Sequence, residues 1–322
     1  MKRRPLEETL LALRRVRQAP EAEESLRELR AVLEGEGSHA VARAATLVGE
    51  LGLGALVPDL VAAFPRFFED PVRTDPGCAA KTAIVEALRR LEQDERALYR
   101  RAAVHVQMEP VFGGRVDTAA DLRGASAMAL AESAGVDVLV DLAHLLADRE
   151  APVRVSAARA VSVQGRDGGI PLLHLKALEG DPEPRVVSEC LLALLRLDAD
   201  HALPFVATFL DRGDAAAEAA AIALGESRRA DALPLLRGFL DRASRRGLAR
   251  VTLLAIAALR RDEAVDLLLS LAKDEPGPLA REALSALASV GGGDTLYERA
   301  KAVVEVRPEL KDDLARAFGR RA

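Results

Sequence analysis

Apolar residues recur along this chain at intervals of three and four residues, which places them on one face of an α-helix. The segment 182–198, PEPRVVSECLLALLRLD, shows the pattern at Val187, Cys190, Leu191 and Leu194. The alternation of apolar and polar residues that is typical of strands is missing throughout. From residue 21 onward the pattern therefore predicts repeated helix pairs, each with a first helix (A), a short turn and a second helix (B).

Prolines and aspartates mark where the predicted helices begin. An A helix tends to carry a proline in its first turn, where the missing N–H costs nothing. The examples are Pro58, Pro171, Pro204 and Pro234. A B helix tends to begin just after an aspartate, whose carboxylate can cap the exposed N–H groups.

The aspartates stand in a constant register, thirteen residues before an aliphatic residue that closes the B helix. The pairs are Asp75 and Leu88, Asp117 and Leu130, Asp148 and Val161, Asp181 and Leu194, Asp211 and Leu224, and Asp274 and Leu287. With Leu51 and Leu259 these positions give eight anchors, 28 to 42 residues apart. A period of this length built only from helices is typical of an α-solenoid.

We therefore predict an all-α fold, an α-solenoid formed by a single domain over residues 1–322. It holds about eight antiparallel helix pairs in residues 21–306. Because terminal repeats would otherwise expose an apolar face, we expect a capping helix at each end of the array. The first lies in residues 1–20, at about 5–18, and the second in residues 307–322, at about 308–319.

The register resembles the HEAT-repeat family, in particular the short HEAT-like repeats first named from phycobilisome lyases. In that family an aspartate between the helices is followed six residues later by a basic residue, and the two form a ladder along the stack. The matching pairs are Asp75 and Lys81, Asp117 and Arg123, and Asp148 and Arg154. In later repeats Val187, Ala217 and Ala280 replace the basic residue, while Ser38 and Arg246 replace the aspartate. The family includes scaffolds, transport receptors, lyase chaperones and a few DNA-repair enzymes, so the resemblance implies a fold and not one function.

The two longest repeats carry insertions in the connection between A and B, at residues 65–77 and 107–119. Because the insertions occupy the same connection in consecutive repeats, we expect them to lie side by side along one edge, here called the insertion edge.

Half of the ten aromatic residues of the chain fall between positions 64 and 112, at or between the two insertions. Aromatic and arginine side chains anchor protein interfaces more than other types do. The predicted partner-binding residues are Arg66, Phe67, Phe68, Arg73, Phe112 and Arg115. The alternative is that the phenylalanines fold the insertions onto the core, with Gly113 and Gly114 only making a turn.

The basic residues suggest a second hypothesis, a positively charged groove that binds a ligand. The net charge of −5 argues against a globally basic nucleic-acid surface, although it leaves a local basic groove open. Arg43, Lys81, Arg123 and Arg154 could form a positive stripe along the concave face of a curved stack. The intramolecular ladder would neutralise three of the four, and we favour that interpretation.

Residues that could carry metal or thiol chemistry are few. His105, Glu109 and Asp117 could in principle converge on a metal, but Asp117 already has a place in the register, and we predict no metal site. Cys78 lies near the start of a B helix with Lys81 one turn on, a position that can lower a thiol pKa. No base or oxyanion site accompanies it, so we predict no catalytic residue. Cys190 is best explained as a small core residue, and no cofactor is expected.

The chain is predicted to be cytoplasmic, with no membrane span. No stretch approaches 18 uncharged apolar residues, and the start lacks a secretory apolar core. The two cysteines belong to repeats too far apart for a disulfide. The excess of 39 arginines over 6 lysines suggests a bacterial source with a high-GC genome.

These patterns predict a non-catalytic scaffold or adaptor that binds a protein partner through the concave face and the insertion edge. Nucleic acid is an unlikely ligand, and neither the partner nor the oligomeric state can be read from the sequence. The alternative is an enzyme or enzyme subunit of HEAT-like type, either a chromophore lyase partner or a DNA glycosylase. A purely structural role by end-to-end stacking is a third possibility, against which the charged terminal segments count.

Overall fold

Helices make up most of the computed structural model, which describes residues 13, 16–35, 37–133, 137–290 and 293–319. The chain divides into two compact units, Met1–Gly169 and Ile170–Ala322, here called unit 1 and unit 2. Each unit is described by itself below. The single domain predicted over residues 1–322 stays a prediction.

Unit 1 contains four helix pairs. The helices are α1 (Glu23–Glu34), α2 (Ser38–Glu50), α3 (Val57–Ala63), α4 (Ala79–Arg90), α5 (Arg96–Ala103), α6 (Ala120–Glu132), α7 (Val138–Leu146) and α8 (Ala151–Gln164). The B helices α2, α4, α6 and α8 pack on one another in that order. The A helices α1, α3, α5 and α7 each precede their B helix in the chain, as the apolar pattern predicts.

Unit 2 repeats this arrangement with shorter connections. Its helices are α9 (Gly169–Glu179), α10 (Pro184–Leu197), α11 (Ala199–Phe209), α12 (Asp214–Glu226), α13 (Ala232–Arg245), α14 (Ala249–Ala258), α15 (Asp262–Asp274), α16 (Gly277–Ser289), α17 (Gly293–Val306) and α18 (Lys311–Ala317). The B helices α10, α12, α14 and α16 pack in sequence. Helix α18 and the short helical turn Pro308–Leu310 occupy the segment predicted as the second capping helix. Of the first capping helix, predicted at 5–18, only residues 13 and 16–18 lie within the described residues, and Leu13 and Val16 are buried.

The predicted eight helix pairs are confirmed, and with them the all-α fold class. Every anchor from Leu51 to Leu287 falls in the last turns of a B helix or directly after it. The cores are built from alanine, leucine and valine, whose small side chains let helices approach closely. At Gly225 of α12 an added Cβ would lie 2.4 Å from the carbonyl oxygen of Ala255 in α14, so only glycine fits this contact.

The main departure from the prediction is a β-hairpin in the second insertion. Strand β1 (Met108–Val111) pairs antiparallel with β2 (Gly114–Asp117) across a turn in which Gly113 has φ +88°. The prediction that strands are missing is wrong at this place. Each strand has only four residues and both are largely exposed, so no buried face imposes an alternating pattern. The first insertion consists of three short helical turns, each beginning at a proline: Pro65–Phe68, Pro71–Thr74 and Pro76–Cys78.

Candidate functional site

The two insertions of unit 1 contact each other directly. The Glu109 carboxylate on β1 accepts a hydrogen bond of 2.6 Å from the Gly77 backbone N–H. The Gln107 side-chain amide donates to the carbonyl oxygen of Asp75 at 2.9 Å and to that of Pro71 at 3.4 Å. The insertions therefore lie side by side, in agreement with their matching positions in consecutive repeats.

A buried ion pair lies beneath the first insertion. Asp75 and Lys81 are both fully buried, with 3.1 Å between the Lys81 Nζ and an Asp75 carboxylate oxygen. The Lys81 ammonium also donates to the Phe67 carbonyl oxygen at 3.0 Å and to the Gln107 side-chain oxygen at 3.1 Å. Asp75 accepts the Ala80 N–H at 2.8 Å and the Lys81 N–H at 3.1 Å, which caps α4 as the register predicts. All of these partners are intramolecular, so this lysine serves the fold.

The next step of the ladder joins two repeats. The Arg123 guanidinium, 3% exposed, contacts Asp117 at 2.8 Å. Two further hydrogen bonds of 2.8 and 2.9 Å run to the two carboxylate oxygens of Asp148 in the following repeat. Such a bidentate pair is stronger and more directional than a single contact. Arg154 donates to the carbonyl oxygens of Asp148 and Arg149. The contacts of Lys81 and Arg123 therefore agree with the intramolecular ladder and not with an exposed positive stripe.

The carboxylates considered for a metal are occupied by protein donors. Burial acts to raise the pKa of Asp117, but the N–H groups of Gln107 and Ala119 and the charge of Arg123 outweigh it, so the pKa is lowered. For Glu109 burial is likewise outweighed, by donors from Gly77, Thr118 and Gln107, and the pKa is again lowered. Among the residues that the structure describes, no group of three or more His, Cys, Asp and Glu side chains is placed to hold a metal ion.

Cys78 departs from the expectation for a helix start. Burial raises the pKa of its thiol to about 11, and the charge of Lys81 offsets only part of this effect. The position at a helix start does not lower the thiol pKa here, because the side chain is fully buried and shares the Gln107 oxygen with Lys81. Burial also raises the pKa of Cys190, to about 12, in keeping with a small core residue.

Two of the six predicted partner-binding residues take part in the packing of the first insertion. The ring of Phe67 is 1% exposed and leaves no surface for a partner. Arg66 is half-buried, and its guanidinium lies 4.7 Å from the centre of the Phe67 ring. It also donates to the carbonyl oxygens of Leu33 and Gly35 at 2.5 and 2.6 Å, which caps the C-terminal end of α1.

Phe68 occupies an intermediate position. Its half-buried ring lies 4.1 Å from the Arg101 guanidinium, 4.9 Å from the His105 ring and 5.0 Å from the Phe64 ring. The Phe68 ring therefore joins the first insertion to the end of α5. The packing alternative thus describes Phe67 and Phe68 better than free exposure does.

The other three predicted residues are exposed. Arg73 forms an ion pair of 2.6 Å with Asp70. Arg115 donates to the Met108 carbonyl oxygen across the hairpin at 2.7 Å. Phe112 stands fully exposed at the hairpin tip. The binding role of the six residues stays a prediction. Of the six, Phe68, Arg73, Phe112 and Arg115 have side chains that remain accessible to a partner.

Sequence reasoning missed the valines around the hairpin. Seven of the thirteen exposed large apolar residues in the described part of the chain lie between positions 72 and 116, so this segment is enriched in them. Five of them form what is here called the hairpin surface: Val104, Val106, Val111, Phe112 and Val116. A signal was present in the sequence, because VHVQMEPVFGGRV places apolar residues on both sides of a two-glycine turn.

Comparison with known proteins finds similar solved structures only. No model of a protein family matches the sequence, and no curated protein does. Human deoxyhypusine hydroxylase in complex with glycerol is 16% identical, over 90% of this chain and 92% of that one, with a TM-score of 0.30. The CpcE–CpcF complex of phycocyanin lyase from Nostoc sp. PCC7120 is 18% identical over 88% and 94%, with a TM-score of 0.37. Kap121p bound to Nup53p is 15% identical over 98% of this chain and 45% of that one, with a TM-score of 0.43. These values assign neither a family nor an activity, and the helix pairing described above rests on the structure of this chain.

None of the helices in the described residues combines the length and the apolar character needed to cross a bilayer.

Proposed function

We propose that this chain is a non-catalytic scaffold or adaptor that binds a protein partner through its insertion edge. The observation that carries the proposal is the hairpin surface, where four valines and a phenylalanine are exposed within thirteen residues. Apolar side chains concentrated in this way on a soluble protein commonly mark an interaction site.

The hairpin is held firmly enough to present these side chains. Glu109 ties β1 to Gly77 of the first insertion, and its carboxylate also accepts the Thr118 hydroxyl at 2.7 Å. Asp117 on β2 accepts the Gln107 N–H at 3.0 Å and pairs with Arg123 of α6. A surface fixed before binding loses less conformational entropy in the complex.

The side chains on the hairpin also suggest what the partner offers. Phe112 at the tip has the size and rigidity of an interface anchor, which fits an apolar pocket. Arg115 is exposed one residue beyond the turn and favours an acidic group at the rim of that pocket. The proposed partner surface is therefore a small apolar cavity with acidic residues beside it.

An affinity capture from the source organism tests this proposal. The intact chain is compared with a variant carrying Val111→Ser, Phe112→Ser and Val116→Ser, and captured proteins are quantified by mass spectrometry. The matched control is Val140→Ser, since Val140 is an exposed valine on α7 of the same unit. We expect the triple variant to lose a partner that the control retains, with unchanged circular dichroism. Equal recovery by both variants, or loss of self-association alone, would contradict the proposal.

Binding through the concave face and the alternative of an enzyme subunit stay predictions. The carboxylates of Asp75, Glu109 and Asp117 all accept hydrogen bonds from protein donors, which favours a structural role for them.

A further inference from the structure

Three arginines of unit 2 lie near the C-terminal ends of successive B helices, 32 residues apart in the sequence. Arg196 lies in the last turn of α10, while Arg228 and Arg260 lie two residues beyond the ends of α12 and α14. They line one cavity of 640 Å³, here called the arginine groove. Glu226 is the one acidic residue among its lining residues, and Leu254 forms part of an apolar floor. The groove is therefore basic on a chain whose net charge is −5.

The charges of this groove are available, unlike those of the ladder in unit 1. Arg228 and Arg260 are exposed, and neither forms an ion pair within the part of the chain that the structure describes. Arg196 has only a long contact of 3.8 Å with Glu189. A guanidinium group is suited to bind a carboxylate when no carboxylate of the protein itself neutralises its charge.

A second observation concerns the backbone of the groove. Arg228 and Arg260 have φ values of +54° and +51°, in the left-handed region that disfavours side chains with a Cβ. At the corresponding ends in unit 1 the left-handed residue is Gly52 after α2 and Gly165 after α8, whereas Glu92 holds this place after α4. Glycine is the usual residue at this position because it adopts the conformation without strain. Two successive repeats therefore keep a strained arginine where glycine would be more stable, and strain of this kind concentrates at functional sites.

The spacing of the arginines selects a peptide conformation. Neighbouring helices pack at about 8–10 Å, so Arg228 and Arg260, which hold the same place beyond successive B helices, are separated by about that distance. A polyproline II helix rises about 3.1 Å per residue with three residues per turn, so every third side chain lies on one face, about 9 Å from the next. In a β-strand, residues three apart point to opposite faces and do not match the row.

We propose that the arginine groove binds an acidic peptide segment in the polyproline II conformation, with a carboxylate at every third position. Each carboxylate pairs with one arginine, and the residues between them rest on the apolar floor around Leu254. This site lies in unit 2 and is independent of the hairpin surface.

A binding titration with a designed probe tests the proposal. The probe is the fluorescently labelled peptide Glu-Pro-Pro repeated three times, and the control peptide has the same composition with its three glutamates adjacent. We expect the full chain to bind the probe at least tenfold more tightly than the control, with an affinity that falls as salt rises. Substituting Arg228→Gly and Arg260→Gly together should weaken probe binding at least tenfold.

The same double variant should be slightly more stable, because glycine relieves the left-handed strain. We expect its thermal midpoint to rise by about 2 °C. The matched control is Glu92→Gly in unit 1, where a left-handed glutamate with φ +55° follows α4. Its midpoint should also rise while probe affinity stays unchanged. Loss of binding together with higher stability separates a binding role from damage to the fold.

Three results would overturn the proposal. Unchanged affinity of the double variant would mean that the arginines only interact with the negative C-terminal ends of the B helices. Equal binding of both peptides would show attraction to net charge without the spacing. Tighter binding of a single-stranded oligonucleotide with the same charge would point to a nucleic-acid site. The hairpin variant should bind the probe normally, so failure here leaves the proposed scaffold function unaffected.

Discussion

Two basic residues on the B helices are buried in unit 1, whereas two arginines at the ends of the B helices are exposed in unit 2. In unit 1 Lys81 and Arg123 are buried between the A and B helices, where carboxylates and carbonyl oxygens surround them. In unit 2 the corresponding ladder positions hold Val187, Ala217 and Ala280, while Arg228 and Arg260 are exposed at the other end of the B helices.

The difference follows the length of the connections. Long insertions bring backbone carbonyl groups into the interior, and a buried cation supplies the donors that these groups require. Lys81 does so for the Phe67 carbonyl, and Arg123 does so for the His105 carbonyl at 2.9 Å. In unit 2 the connections are shorter, and an apolar residue takes the ladder position. Lys81 and Arg123 therefore hold the fold, whereas Arg228 and Arg260 form no ion pair within the described residues.

The largest expected effect comes from removing the cation that joins two repeats of unit 1. Arg123→Met leaves Asp117 and Asp148 charged without their partner in a largely buried site, which should cost about 3–5 kcal/mol of unfolding free energy. Chemical denaturation measures the loss, and hydrogen exchange should locate it in α6 and α8. The control is Arg260→Met, an exposed position where the change should stay within about 0.5 kcal/mol. Similar losses in the two variants would remove the distinction between the units.

A smaller effect is expected where unit 2 depends on close helix contact. Gly225→Ala places a Cβ 2.4 Å from the Ala255 carbonyl oxygen, so α12 and α14 must move apart, at a cost of about 1–3 kcal/mol. The control is Gly238→Ala on α13, where an added Cβ meets nothing within 4 Å. Alanine is the better helix former, so this control should gain about 0.5–1 kcal/mol. The two substitutions should therefore shift the denaturation midpoint in opposite directions, and a shared direction would count against the close approach.

The helix pairs could be predicted from the sequence because their causes are local and repeated. The spacing of Val187, Cys190, Leu191 and Leu194 defines a buried face whatever the neighbouring helix is. The same holds for the ladder, since Asp117 and Arg123 are six residues apart and meet as soon as the B helix forms. The pairing of Arg123 with Asp148 depends on how the next repeat packs, so the six-residue spacing alone does not predict it.

The candidate site was predicted only in outline, since exposure depends on packing at a distance. Phe67 and Phe112 are the same residue type in neighbouring insertions, yet one is buried and the other fully exposed. No local pattern distinguishes them. The strained arginines are hidden for a related reason, because arginine is not a residue that signals a left-handed backbone. Only the structure shows that Arg228 adopts it.

Acid should destabilise the ladder of unit 1 selectively. The pKa of Asp117 is lowered in the folded state, so its contribution to stability is present above its unfolded pKa of about 3.9 and is lost as pH falls through the folded value. Asp117→Asn should therefore be less stable than the parent chain at pH 7, and the gap should narrow as pH drops below about 4. Denaturation curves between pH 7 and pH 3 measure this gap. Asp231→Asn in unit 2 is the control, since its partner Arg229 is largely solvent-screened and the gap should be small throughout. A gap for Asp117→Asn that does not change with pH would assign its effect to shape and not to charge.

The smallest expected effects concern the left-handed residue that ends a B helix. Gly165 has φ +71°, and the nearest atom to an added Cβ is 3.7 Å away, so Gly165→Ala tests the backbone conformation without a steric clash. It should cost about 1 kcal/mol, because alanine is strained at this φ. Glu92→Gly is the reverse change in the same unit and should gain about 0.5 kcal/mol, the relief of strain being partly offset by the greater freedom of glycine in the unfolded chain. Thermal denaturation of the two variants gives the values against which Arg228→Gly can be judged. A gain for Arg228→Gly equal to that for Glu92→Gly would show that the arginine side chain contributes nothing to folding.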